Sequence, residues 1–281
     1  MTASPNGTLL ITVATALGLL ASPRASAAPK KCPYDQAVDP SGHCVGLFAC
    51  PDGMIPIPGV SFTMGKAGAK DDQGPAHKVS LSPYCIDRTE VTAKAYRACM
   101  AAGACQAPVY DEARCDALHE ERGDHPANCA TWDAADGYCR WAGKRLPTEA
   151  EWELAARGQD GRSFPWGNAA PSKARVVASL NGRWLTDTAS VGSVPQGASP
   201  WGALDMSGNV CELVSDYYAE YAADAVTDPK GPASGKLHVC RGGSLNNRDG
   251  DAISTTFRRV GYSTGSSDEL TGFRCAATPA R

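Results

Sequence analysis

WAGKRLPTEAEWELAARG, residues 141–158, is the stretch whose reading decides the fold of this 281-residue chain. Thr148 stands three residues before Glu151, the spacing of a capping box. In that arrangement the threonine hydroxyl accepts from the Glu151 amide, and the glutamate carboxylate reaches back to the first amide. The pattern predicts a helix over 147–157, with Trp152 and Ala156 one turn apart on a single face. Two more helices are legible upstream. Residues 131–142 begin on the Thr131 hydroxyl and stop at Gly143, and the alanine-rich run 91–102 stops at Gly103. Residues 54–65 read as strand, Pro-Gly turn, strand, and the alternation of 77–92 reads as a second strand pair leading into a helix. Beyond Gly158, glycine, proline and turn dipeptides become frequent. Only short strand-like pieces are expected there, at 189–194, 210–214, 238–241 and 273–276.

Composition narrows the classes. Lys and Arg total 27 against 30 Asp and Glu, without a long single-sign run, so neither nucleic acid nor an anionic membrane is indicated as a partner. Residues 9–21 are apolar but too short to span a bilayer comfortably, and Ala25-Ser26-Ala27 satisfies the small-x-small cleavage rule. Residues 1–27 are therefore expected to be a secretory signal. The first residues lack Lys and Arg, which leaves an uncleaved anchor as the alternative; after cleavage no membrane span is expected. Twelve cysteines follow the apolar run, an even number that fits pairing in an oxidising compartment, secreted or periplasmic. Metal binding through them is disfavoured, because no C-x-x-C pair or Cys/His cluster at zinc spacing occurs. Residues 28–52 are read as a cysteine-bearing extension and residues 53–281 as one domain.

Four blocks follow the opening stretch in order: FPWGN (164–168), DMSGNVCEL (205–213), RGGS (241–244) and GFRCA (272–276). The ordered series resembles the formylglycine-generating enzymes, or sulfatase-modifying factors, over roughly residues 53–277. The resemblance implies an α+β, C-type-lectin-like fold with much irregular loop, tied by disulfides and calcium. It implies that Cys139 pairs with Cys275. Cys211 stands where the family usually has tryptophan, Cys240 precedes RGGS, and these two novelties are expected to pair with each other. Cys50–Cys85, Cys99–Cys105, Cys115–Cys129 and Cys32–Cys44 complete a set, although spacing alone does not fix connectivity.

In those enzymes RGGS is followed by a cysteine three residues on and another five later. Their thiolates bind copper(I), activate oxygen and oxidise a substrate cysteine. The matching positions here are Asn247 and Ala252, and no cysteine lies between Cys240 and Cys275. Neither an amide nor a methyl holds copper(I), so copper is not expected as a cofactor. The resemblance instead implies calcium. Asp205 and Glu212 would give side-chain oxygens and Gly208 and Val210 backbone carbonyls, with a weaker second site at Asn181 and Asp187. The plainer reading of the acid pair is that it caps loop amides.

Other chemistry finds little support. The five histidines form no H-x-x-x-H or H-E-x-x-H pattern, His125 in HPANC reads as structural, and Ser244 lacks a nucleophile-elbow context. Arg241, Ser244, Asn247 and Arg258 form a candidate ligand pocket. Arg241, Arg258, Arg259 and Arg274 either hold a carboxylate ligand or pair with Asp249, Asp251, Asp268 and Glu269. Trp184 and Trp201 are expected to fill the core, with the lining of a groove as the alternative. The functional expectation is a non-oxidase member of the family, an exported module binding a peptide, glycan or protein. The alternative is a family oxidoreductase working through other ligands.

Overall fold

The computed structural model describes residues 36–38, 44–46, 48–69, 71–108, 112–180, 184–261 and 263–280. The expected signal, Asn181, Cys32 and the side chain of its expected partner Cys44 lie outside the described residues.

Among the described residues three α-helices are interleaved with short strands. β1 (Gln36–Val38) and β2 (Cys44–Gly46) form an antiparallel hairpin. β3 (Met54–Ile57), β4 (Val60–Met64), β5 (His77–Leu81) and β6 (Tyr84–Asp87) follow. Next come α1 (Ala93–Ala101), α2 (Trp132–Trp141) and α3 (Glu149–Arg157). The remaining strands are β7 (Cys211–Tyr217), β8 (Val226–Thr227), β9 (His238–Arg241), β10 (Arg258–Val260), β11 (Thr271–Phe273) and β12 (Ala276–Ala277). The largest sheet runs β10-β9-β7-β11, and two three-stranded sheets run β12-β6-β3 and β4-β5-β8. In the β4–β5 hairpin, Phe62 faces Val79 and both are buried, the period-two pattern of a strand with one dry face.

Each helix starts on a threonine hydroxyl: Thr92 accepts from the Ala95 amide, Thr131 from Ala134 and Thr148 from Glu151. The capping box of α3 is complete, because the Glu151 carboxylate accepts from the Thr148 amide at 2.8 Å. Gly103 and Gly143 take φ of +71° just beyond α1 and α2, where a side chain would be strained. Every residue of α3 from Glu149 to Ala156 is buried. Trp152, Leu154, Ala155 and Ala156 pack with Ile55, Phe62, Val79, Val214 and Val239 in the main core. A second cluster gathers Tyr96, Tyr138, Leu146 and Phe273 around α1 and α2.

Among the described residues five disulfides cross-link the chain: Cys50–Cys85, Cys99–Cys105, Cys115–Cys129, Cys139–Cys275 and Cys211–Cys240. These are pairs named from the sequence. Among the described residues no cysteine is free, and no helix is long and apolar enough to cross a membrane.

Two sequence expectations are corrected. Residues 189–194 form no strand, because their amides find scattered partners instead of a ladder. The Ala189 amide bonds the Asn209 side chain, Val191 the Asp124 carbonyl, and Gly192 the Asp205 carboxylate. Trp184 does not fill the core: it is 62% exposed. Trp201 does pack against the core, and its indole donates to the Leu154 carbonyl at 2.9 Å.

Candidate functional site

Buried ion pairs join the sequence blocks to one another. Glu149 and Glu153 stand four residues apart on one face of α3. Between them sits Arg241 of RGGS, with no exposed surface, at 3.2 Å from Glu149 and 2.6 Å from Glu153. Its guanidinium also donates to the carbonyls of Thr255 and Thr256 and lies 5.2 Å over the Trp152 ring. The Trp152 indole donates to Glu212, whose two carboxylate oxygens each accept from Arg274 of GFRCA, at 2.6 and 2.7 Å. Arg258 grips Glu149 through two nitrogens, at 2.7 and 2.9 Å. Buried charges are tolerated only when matched and hydrogen-bonded in this way.

Arg241, Arg258 and Arg274 therefore serve the interior. Of the four arginines, only Arg259 pairs with one of the acids near it in sequence, Asp268. Arg241 and Arg274 are sealed, and Arg258 reaches a cavity wall. Arg241, Ser244, Asn247 and Arg258 are not gathered into one pocket. Ser244 and Asn247 instead close a turn, the Asn247 side-chain oxygen accepting from the Ser244 amide at 2.7 Å.

Asn247 and Ala252, the positions that the resemblance sets against the copper ligands, lie close together. Both border Gly243, whose φ is +66°. A Cβ on Gly243 would lie 2.1 Å from the Ala252 carbonyl oxygen and 2.9 Å from Asn247 Oδ1, so only glycine fits. The loop thus holds the two positions together, with an amide already engaged at one and a methyl at the other.

The residues of the implied calcium loop fit a cation in part. Asp205 takes a left-handed φ of +57°, and its Oδ2 accepts from the Gly192 amide. Glu212 is fully engaged by Arg274 and Trp152. Glu90, absent from the sequence-derived set, fills the gap. It is 2% exposed, its Oε1 accepts from Asn209 at 3.0 Å, and its Oε2 has no partner. Burial pushes the Glu90 carboxyl well above its ordinary range, helped by the nearby Asp205 and Glu212 and opposed by Arg274. Burial raises Asp205 as well, against the Gly192 amide, Arg274 and hydrogen bonding to the Glu90 carboxyl. Three carboxyls thus surround one guanidinium, and the surplus negative charge calls for a proton or a cation. Among the described residues no group of three His, Cys, Asp or Glu side chains is placed to hold a metal. Asp187 of the second implied site is engaged elsewhere, bonding Arg122 at 2.6 and 3.0 Å. His125 is held by Thr188, at 2.8 Å, and by Arg122.

Beside this loop region runs a groove of about 480 Å³, lined by Trp184, Leu245, Asn246, Asn128 and the Arg114–Glu269 pair. Arg248 lies 3.5 Å over the Trp184 ring. An exposed tryptophan held by a cation, next to polar amides, is a surface suited to recognition. From the sequence, lining a groove is only the alternative to core filling for Trp184, since exposure of one tryptophan depends on where its loop lies.

Comparison with known proteins places this geometry. The model of the sulfatase-modifying factor enzyme 1-like domain matches residues 48–279. The chain is 32% identical to a formylglycine-generating enzyme of Thermomonospora curvata, over 81% of this chain and 94% of that protein. It is 28% identical to the inactive C-alpha-formylglycine-generating enzyme 2 of Mus musculus, over 81% and 86%. It is 35% identical to the serine/threonine-protein kinase pkn1 of Chlamydia pneumoniae, over 79% of this chain but only 37% of that protein. Among solved structures, Treponema denticola variable protein 1 aligns with a TM-score of 0.65 at 25% identity, covering 80% of this chain and 95% of that one.

Proposed function

We propose that this chain, which belongs to the sulfatase-modifying factor family, is a member without copper oxidase chemistry. In this reading it is an exported, disulfide-framed module whose loop face binds a peptide, glycan or protein. The observation that carries the reading is the pair of positions around Gly243. They are brought together, yet Asn247 is bonded to Ser244 and Ala252 offers only a methyl. Copper(I) needs soft thiolate ligands, and among the described residues no cysteine is free. A mouse relative named inactive is consistent with such a member of the family.

The binding face is assigned to the groove beside Trp184 and Arg248. Export is supported by the apolar N-terminal run with its small-x-small site and by the number of disulfides. Calcium is assigned to the Glu90–Asp205 end of the loop, with the Gly208 and Val210 carbonyls as further oxygens; a hard cation there would stiffen the loop.

The decisive test is an oxidase assay. Purified protein loaded with copper(I) is incubated in air with a peptide carrying the family's Cys-x-Pro-x-Arg target, and mass spectrometry follows the cysteine. No formylglycine is expected, while an active family enzyme run in parallel turns the peptide over. Formylglycine from this chain would sink the reading.

A further inference from the structure

A separate cavity of about 310 Å³ lies where the start of α3, the end of β7 and residues 219–232 meet. Its walls are aromatic and apolar, with Tyr217, Tyr221, Met64 and Val226, and its exposed rim is formed by Glu220, Ala222, Gly231 and Pro232. The volume is at the small end of ligand pockets.

Charge matching within the wall is uneven. Glu149 is fully matched, by Arg258, by Arg241 and by the Tyr221 hydroxyl at 2.9 Å. Asp216 is not. Its Oδ2 accepts from the Glu149 amide and the Ser215 hydroxyl, each at 2.9 Å. Among the described residues no Lys, Arg or His forms an ion pair with it, and it is 5% exposed. Burial, with Glu149 and then Glu151 on α3 adding to it, pushes its carboxyl up to about 7. The other charged or titratable groups around it are Arg258 and His77 in the same cavity, Glu220 at the rim and His238 on β9.

The wall already holds a cation on an aromatic face: Arg258 lies 4.0 Å over the Tyr221 ring. Electron-rich ring faces and an unpaired carboxyl are complementary to one kind of guest. We infer that this cavity binds a small organic ammonium ion with an apolar body, its charged nitrogen paired with Asp216 and its carbon frame against Tyr217, Met64 and Val226. An anion meets Asp216 and Glu220, and the Arg258 cation in the wall is already held by Glu149; a neutral guest leaves Asp216 unpaired. Below neutrality the ammonium draws Asp216 into its ionised form, so one proton leaves for each guest bound.

The test is calorimetry on the full chain with benzylammonium, benzyl alcohol and benzoate as probes. At about pH 6, buffers of different ionisation enthalpy report the proton. Benzylammonium is expected to bind roughly tenfold or more tightly than the alcohol, a margin of one charge-assisted hydrogen bond. It should release about one proton, and the release should vanish at about pH 8. In Asp216→Asn the preference for the ammonium should fall to about one. Equal affinity for alcohol and ammonium in the unaltered protein overturns the inference. So does binding without proton release, a preference that survives in Asp216→Asn, or no binding of benzylammonium. The measurements on the unaltered chain stand whether or not the variant folds.

Discussion

Asp216 accepts from the first amide of α3, a position that ordinarily favours a carboxylate, yet its carboxyl is pushed up to about 7. Burial outweighs the amide because no cation is paired with it and Glu149 lies close. Stability follows from the sign of this shift. Between about pH 4 and 7 the folded chain holds a proton that the unfolded chain has lost, so stability falls as pH rises through that window and levels above it. With about three pH units at about 1.4 kcal/mol each, the loss is at most roughly 4 kcal/mol. Asp216→Asn imitates the protonated form and keeps an oxygen for the Glu149 amide. The variant is expected to match the parent at about pH 4 and to exceed it above neutrality, in urea denaturation at a series of pH values. A variant less stable than the parent at every pH would show that the carboxyl is ionised in the fold. None of this was legible in the sequence, where Asp216 is one of many acids in a loop-rich half. Its burial arises from where β7 ends against α3, a contact between residues far apart in the chain.

At the scale of elements, legibility divides along the same line. The start of α3 could be read because Thr148 and Glu151 act within one turn, and the cap forms as spacing demands. The partners of RGGS and GFRCA could not: nearby acids were the expected partners, whereas Arg241 reaches Glu149 and Glu153, and Arg274 reaches Glu212. Loop 205–212 is the element where the difference matters most. Its motif residues suggest a calcium set, but Glu212 is held by Arg274, and Glu90 enters from the segment before α1 with an unpartnered oxygen. For the calcium we assign to Glu90 and Asp205, differential melting is the check. Calcium in large excess should raise the melting midpoint above that in EDTA, by the equivalent of about 2–3 kcal/mol at a hundredfold excess over Kd. Because both carboxyls are shifted upward, binding displaces protons and the gain should grow from acid to neutral pH. Glu90→Gln should shrink the gain. Identical melting curves in calcium and EDTA would remove calcium from the assignment and leave a shared proton as the counter-charge.

Across the whole molecule, short strands and long loops leave much of the backbone outside regular elements, and the disulfides differ widely in how much chain they close. Cys139–Cys275 spans 136 residues and ties the end of α2 to GFRCA, beside the Arg274–Glu212 pair. Cys99–Cys105 spans 6 residues at the end of α1. If constraint of the unfolded chain dominates, the first contributes about 5 kcal/mol and the second about 2 kcal/mol. The two bridges have similar Cα separations, 5.6 and 5.3 Å, and both are buried on at least one side, so loop length is the main variable between them. Replacing each pair by serines should therefore cost more than twice as much for Cys139–Cys275 as for Cys99–Cys105, in chemical denaturation under non-reducing conditions. The long bridge also fixes the segment whose arginine holds Glu212, so its loss should expose Trp152 fluorescence to quencher before global unfolding. Equal costs for the two pairs would mean that packing of the native loops, and not restriction of the unfolded chain, is what the disulfides supply.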